Sequence, residues 1–389
     1  MKSKKDAFND NSISVPFVIP MITKDDKIAI NDALNSVLLT DGPKLIEFEK
    51  MFSTYTNSSS AIGVSNATSA LMLSLKSCGI GKGDEVIVPD LTFVATASAV
   101  IHCGATPVLA DVEEDSMNLD PLSIEKNLTK KTKAIIPVHF AGRVCKIKEI
   151  LKISKKNNLK VIEDCAHALG SKIGKKHVGT FGDVGCFSFY PTKNFTTIEG
   201  GMIITNSKQI SNYTKSVRNH GITRSLDSRF SSGKPWEYDI KESGFNFRLD
   251  EIRSALGLSQ MKRLDKFNDL RKKASEYYTS QLTDVKGIIT PKISKNNENS
   301  FHLYIIRITK DFPLTRDVLF KKLLNNGIRT SVHYKPLNQF TLFKKMAKSY
   351  DKLEISNMLY DEILSLPMYP TIRKSDQNYV IKNIKNGII

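Results

Sequence analysis

Two textures alternate through the middle of the chain. Short runs rich in β-branched and apolar residues are EVIVP (85–89), TPVLADV (106–112), KAIIPVHF (133–140), LKVIEDC (159–165), VGCFSFY (184–190) and GMIIT (201–205). Between many of them lie stretches with helical spacing: ATSALMLSLKSC (67–78), TFVATASAVIHC (92–103) and VCKIKEILKISKK (144–156). Several of the short runs are apolar at every position, as strands must be when both faces of a sheet are covered. Repeated strand–helix units of this kind predict an α/β domain, with a mostly parallel central sheet and helices on both faces.

The texture changes after a long helical stretch that runs from Arg248 to Leu282, with Ile252, Ala255, Leu256, Leu258 and Met261 as its apolar stripe. SFHLYIIRI (300–308) and GIRTSVHY (327–334) read as strands, with DVLFKKLLNN (317–326) as a helix between them. A chain of 389 residues is long enough for two domains. The expected division is a large α/β domain over residues 16–262 and a smaller α+β C-terminal domain over 263–389. Residues 1–15 form an N-terminal extension, and MKSKKDAFNDNS shows neither pattern.

Composition narrows the class. No run approaches the roughly 18 apolar residues of a membrane span, and no apolar stretch follows the N-terminal lysines as in a signal peptide. The five cysteines are odd in number and include no CxxC pair, which argues against a disulfide framework or a zinc site and suits a reducing cytoplasm. The seven histidines show no metal-ligand spacing. A net charge of +17 could attract nucleic acid, a membrane surface or a phosphorylated substrate. Yet the excess is lysine, spread along the chain and accompanied by Asn and Ile, and no arginine precedes Arg143. Composition therefore explains the charge better than a nucleic-acid face, which would be concentrated.

Ligands of open parallel sheets bind beyond the carboxyl ends of the strands. The polar and aromatic residues at those ends are Asn66, Thr68, Phe93, His139, Asp164, Ser188 and Lys193. Each has an ordinary alternative: Asp164 as a turn or cap residue, Lys193 as a solvated charge, SNATSAL as a capped helix start. Together they form a set with one chemistry. A lysine of lowered pKa can form a Schiff base with an aldehyde cofactor. Pyridoxal phosphate further needs a carboxylate to hold its pyridine nitrogen protonated, a helix N-terminus for its phosphate, and an apolar face for its ring. Asp164, the Ser65–Thr68 stretch with Ser188, and Phe93 meet those needs.

On these residues the chain resembles the pyridoxal-phosphate-dependent nucleotide-sugar aminotransferases of the DegT family, which have the type I aminotransferase fold. The resemblance runs through LTDGPKLIEFEKMF, VSNATSALMLSL, GKGDEVIVPDLTFVATASAV, VIEDCAHALGS, GDVGCFSFYPTKNFTTIEGGMIIT, RNHG, GFNFRLDEIRSALGLSQMKRLD, FHLYIIRI and GIRTSVHYKPL, in that order. It implies that Lys193 carries the cofactor and shuttles protons, and that Asp164 pairs with the pyridinium nitrogen. His167, where many relatives have Gln, would lie near the cofactor's phenolic oxygen. Ala67, Thr68 and Ser188 would hold the phosphate, and Phe93 would stack on the ring. Asn246 would reach the phosphate of a neighbouring subunit, which makes the expected state a homodimer.

Two positions depart from the family pattern. SNAT replaces the commoner Gly-Thr or Cys-Thr, and Ala67 is small enough to keep the phosphate cup. Ile198 in TTIEGG stands where Gly is usual, and a β-branched residue should resist a positive φ there and shift the loop path. The activity implied is transfer of an amino group from glutamate to the keto sugar of a sugar nucleotide, with C4 favoured over C3 by the TTIEGG loop. Arg248, His333 and Tyr334 are candidates for binding the donor carboxylate or the sugar nucleotide. The alternatives are a sugar-phosphate or amino acid aminotransferase, a related sugar dehydratase, which would carry His in place of Lys193, and a non-enzymatic binder using the basic surface.

Overall fold

The computed structural model describes residues 14–224, 226–231, 233–292 and 298–387. MKSKKDAFNDNS and the rest of the N-terminal extension up to residue 13 lie outside the described residues. The first half contains α1 (Lys24–Leu34), α2 (Pro43–Thr56), β1 (Ser60–Val64), α3 (Ala67–Ser77), β2 (Glu85–Pro89), α4 (Ala95–His102), β3 (Thr106–Ala110), α5 (Pro121–Lys126), β4 (Thr132–Ile135), α6 (Ile147–Lys156), β5 (Lys160–Asp164), β6 (Lys172–Ile173), β7 (Lys176–His177), β8 (Val184–Ser188) and β9 (Gly201–Thr205). There follow α7 (Lys208–Val217), α8 (Leu226–Ser231), α9 (Glu251–Met261), α10 (Leu264–Leu282), β10 (Ile288–Ile289), β11 (Tyr304–Ile308), α11 (Arg316–Asn325), α12 (Thr341–Met346), α13 (Glu354–Glu362), β12 (Ile363–Leu366) and α14 (Lys374–Lys385).

A seven-stranded sheet has the order β1-β9-β8-β5-β4-β2-β3. From β8 to β3 the strands run parallel, and β9 is antiparallel to both β8 and β1. Successive side chains of a strand point to opposite faces, and here both faces are buried. Val86 and Val88 of β2 join one apolar cluster, with Leu71 and Leu75 of α3, while Ile87 joins another, with Ile147 and Ile150 of α6. Ile203 of β9 faces the first cluster, and Met202 and Ile204 face Phe48 and Phe52 of α2. The unbroken apolar runs of the sequence thus follow from a sheet with helices on both sides.

A second, antiparallel sheet has the order β10-β11-β12 and shares a core with α10, α11 and α14 through Tyr278, Leu282, Leu319, Leu323, Val380 and Ile384. Val15 joins that core and bridges to Ile328. No helix of the described residues is long and apolar enough to cross a membrane.

The structure corrects several expected elements. KAIIPVHF is strand only to Ile135, because Pro137 has no amide to continue the ladder. The stretch 248–282 is two helices with a break at Lys262–Arg263, where Arg263 leaves helical geometry at φ −116°. GIRTSVHY is not a strand: it makes single bridges at Ile328 and Ser331, and the place beside β11 is taken by β12, ILSL, which sequence reading missed. The start of SFHLYIIRI is likewise irregular up to Tyr304.

One buried carboxylate ties α9 to α2. Glu251 is fully buried and accepts the amides of Gly42 (3.1 Å), Lys44 (2.7 Å) and Leu45 (2.9 Å). Pro43 begins α2 and has no amide, so Glu251 satisfies the remaining orphan donors of that first turn and opposes the helix dipole there. Glu251→Ala leaves those amides buried and unpaired. It should lower unfolding free energy by about 3 kcal/mol in denaturant titration.

Candidate active site

The parallel strands deliver their C-terminal ends to one edge of the sheet. β5 ends at Asp164 and β8 at Ser188, while β1 ends at Val64, just before the start of α3. Gly201, the first residue of β9, pairs with both Val64 and Ser188. A Cβ on Gly201 would stand 2.6 Å from the carbonyl carbon of Asn66, so only glycine allows β9 to pass so close to the N-terminus of α3. Asn66 caps α3 by accepting the amide of Ser69 at 2.8 Å. Ala67 and Thr68 are the first helical residues, and their amides face outward without an intrahelical acceptor.

Lys193 lies in the turn after β8, its amide bonded to the carbonyl of Tyr190 at 2.9 Å. Its amine makes no ion pair with a carboxylate among the described residues, and burial lowers its pKa to about 8, partly offset by the charge of Asp164. Asp164 is 5% exposed and accepts the hydroxyl of Thr96 at 3.0 Å and the amide of Ala166 at 3.1 Å. Burial nevertheless raises its pKa, outweighing those bonds and the favourable charge of Lys193. The two groups therefore feel each other's charge without touching.

Three imidazoles surround this amine. His167 is buried; its Nδ1 accepts the amide of Ala141 at 3.3 Å, and its Nε2 lies 3.1 Å from the Tyr334 hydroxyl. His302 packs on His167 with ring centroids 4.4 Å apart and meets the Asn194 side chain at 3.1 Å. His333 bonds Ser365 at 2.8 Å and stacks on Phe17. Burial, reinforced by the charge of Lys193, holds all three below the ordinary histidine range, His333 at about 3. Phe17, Val18, Thr192, Lys193, His333 and Tyr334 share the lining of one cavity. Phe93 is half-exposed with its ring 5.7 Å from that of Tyr334.

Not every expected residue converges. His139 does not reach the site: its Nε2 lies 2.9 Å from Glu163, whose carboxylate also accepts the amides of Gly179, Phe181 and Gly182. Glu163 precedes Asp164 in β5, and neighbouring strand residues face opposite sides of the sheet. Arg248 is absent from the described lining of the Lys193 cavity, and so is Asn246, which was expected at a neighbouring subunit's phosphate rather than at this one. Asn246 is exposed and bridges to Asn219; Arg248 bonds the Asn219 side chain, lies 3.7 Å from Asp41 and bridges to Val64 at the end of β1. Sequence reading missed Thr96, Ala141, His302 and Phe17. The clearest available signal was His302, a polar residue opening an apolar run.

Ile198 does not shift the loop by avoiding a positive φ, contrary to expectation: it adopts φ 70°. Its amide donates to Thr196 Oγ1 at 2.8 Å, and Thr197 Oγ1 donates to the Glu199 carbonyl at 2.9 Å. The side chain is 58% exposed, so the left-handed backbone places no bulk in the core. Ile198→Gly removes the strain and loses little burial; thermal melting should show a gain of up to about 1 kcal/mol.

A doubly covered parallel sheet that presents a desolvated lysine, a buried carboxylate and an open helix N-terminus at one edge defines a type I aminotransferase scaffold. The model of the DegT/DnrJ/EryC1/StrS aminotransferase family matches residues 20–385. The spore coat polysaccharide biosynthesis protein SpsC of Bacillus subtilis is 35% identical over 376 residues, covering 96% of each chain. Among solved structures, the putative sugar aminotransferase Spr1654 of Streptococcus pneumoniae in its PMP-form superposes with a TM-score of 0.90 at 30% identity, covering 96% of this chain and 98% of that one. Helicobacter pylori PseC, an aminotransferase involved in the biosynthesis of pseudoaminic acid, superposes with a TM-score of 0.89 at 31% identity, covering 96% and 99%. The chain belongs to the DegT/DnrJ/EryC1/StrS aminotransferase family. It is an aminotransferase, and pyridoxal phosphate is the cofactor of this family.

The residues present fit that cofactor. Lys193 offers an amine without an ion-pair partner, Asp164 a buried carboxylate whose raised pKa marks the lack of a full cationic partner, and α3 its open amides beside the Gly201 cradle. The lowered pKa of Lys193 has a kinetic consequence, because only the neutral amine attacks an aldehyde. Rapid-mixing absorbance should show the rate of apoenzyme reconstitution rising from pH 6 and levelling once pH passes about 8.

Proposed function

We propose that this enzyme moves an amino group from glutamate to the keto carbon of a nucleotide-diphosphate sugar, for the amino sugars of a cell-surface polysaccharide. The observation that carries the reading is the unpaired, desolvated amine of Lys193 set beside the buried Asp164. The relatives SpsC, named for polysaccharide biosynthesis, and PseC, named for pseudoaminic acid, support a sugar acceptor. Lys193 also speaks against a dehydratase of the same family.

Bound pyridoxal phosphate supplies an electron sink that stabilises negative charge on the substrate carbon. In this reading Lys193 would hold the cofactor, and its amine, when free, would accept and return a proton at the substrate carbon. Asp164 holds the pyridine nitrogen protonated. The amides of Ala67 and Thr68, with Ser188, hold the phosphate, and Phe93 covers the ring. Arg248, His333 and Tyr334 orient donor or sugar nucleotide, and part of the lysine excess balances the diphosphate. The TTIEGG loop favours C4 over C3.

The working unit is a cytoplasmic homodimer in which Asn246 of each subunit serves the other's phosphate. Exposed apolar residues close together in the chain support this: Leu34, Val37, Leu38, Leu39 and Ile46, with Val37 98% exposed. These residues flank Asp41 in the chain, and Asp41 pairs with Arg248, two residues from Asn246. Grouped exposed apolar residues are a common signature of an association surface. Val37→Asp together with Leu38→Asp should convert dimers to monomers in analytical ultracentrifugation and weaken cofactor retention.

A panel of keto sugar nucleotides incubated with glutamate, followed by mass spectrometry, tests the substrate class. Amino-sugar nucleotide and 2-oxoglutarate should appear in equal amounts. Transfer only to amino acid or sugar-phosphate acceptors would refute it, and water loss without amine transfer would point to a dehydratase.

A further inference from the structure

The hydrogen bonds of His167 determine its tautomer. Its Nδ1 accepts the Ala141 amide at 3.3 Å, so that nitrogen carries no proton. The buried ring is held neutral, so its one proton sits on Nε2. The contact of 3.1 Å between Nε2 and the Tyr334 oxygen is then donated by histidine and accepted by the phenol. The phenol's own proton is left over. Among the described residues the Tyr334 hydroxyl has no other partner, and Tyr334 lines the same cavity as Lys193.

Ala141 is built to hold this arrangement. It sits at φ 56°, uncommon for a residue with a Cβ, and its carbonyl accepts the amides of His302 at 3.1 Å and Leu303 at 3.3 Å. The Ser300 hydroxyl donates to the His167 carbonyl at 3.0 Å, pinning the backbone of that residue as well. Phe140 and Phe93 flank the tyrosine ring, with centroids 6.0 and 5.7 Å away.

We propose that Tyr334 is a directed hydrogen-bond donor to an oxygen of the group held at Lys193, and that His167 is the positioning residue that aims it by occupying the phenol's acceptor side. A glutamine side chain would offer the same pair of groups, an acceptor oxygen for the Ala141 amide and a donor nitrogen for the phenol. The acceptor oxygen belongs either to the cofactor or to the sugar substrate, and both require a neutral tyrosine. Burial and the charge of Asp164 raise the Tyr334 pKa, so the proton stays available. The proposal rests on Lys193 being the cofactor attachment point.

The test compares holoenzymes of Y334F, H167Q, H167L and the double variant Y334F/H167L. Y334F should lose about tenfold or more in kcat with little change in KM. H167L should match Y334F within about threefold, H167Q should stay within about threefold of wild type, and the double variant should be no worse than Y334F alone. The pH titration of visible absorbance without substrate separates the two sources of the oxygen. A shifted midpoint in Y334F and H167L, restored in H167Q, assigns it to the cofactor; an unchanged midpoint with the kcat loss confined to the sugar half-reaction assigns it to the substrate. A Y334F enzyme with wild-type colour titration and kcat would overturn the proposal, as would H167Q behaving like H167L. Wild-type protein that takes up no cofactor would overturn the underlying reading as well.

Discussion

The site depends on keeping two opposite charges close in a dry place without letting them pair. Lys193 and Asp164 influence each other electrostatically, yet each keeps a pKa displaced toward its neutral form, because burial costs more than their mutual attraction returns. A direct ion pair would hold the amine protonated and spend the carboxylate. The sheet prevents this by presenting the two groups from different strand ends, Asp164 at the end of β5 and Lys193 in the turn that follows β8.

Much of the surrounding architecture serves that arrangement. Thr96 and the Ala166 amide hold the Asp164 oxygens, so the carboxylate does not swing toward the amine. On the opposite face of β5, Glu163 binds His139 and three amides of the 179–182 turn, which fixes the strand end from below. The neutral imidazoles of His167, His302 and His333 add polar groups without adding charge. The site is thereby rich in hydrogen-bonding groups while its cationic charge remains low, a setting in which a lysine stays reactive.

The sheet was legible from sequence because its strands are buried on both faces, and EVIVP and GMIIT coincide with β2 and β9 residue for residue. Asp164, Ser188 and Lys193 were legible because strand ends in such a sheet share one edge. Long-range contacts were not. The His167–Tyr334 contact joins residues 167 positions apart, and no local pattern encodes it. His139 looked equivalent to Asp164 at a strand end, and only the facing of the side chains separates them. Ala141 and Ile198 hold positive φ without being glycine, stabilised by bonds from residues that propensity rules do not include. β12 was missed because ILSL directly continues α13, with no turn residue between helix and strand.

The central claim is that the desolvated amine of Lys193 is the point at which this chain engages its cofactor. Borohydride reduction of the purified holoenzyme, followed by proteolysis and mass mapping, tests it most directly. The account predicts loss of the visible colour and a phosphopyridoxyl mass on the peptide containing Lys193, and on no other lysine in stoichiometric amount. A colourless protein, or a stoichiometric adduct on a different lysine, would contradict it.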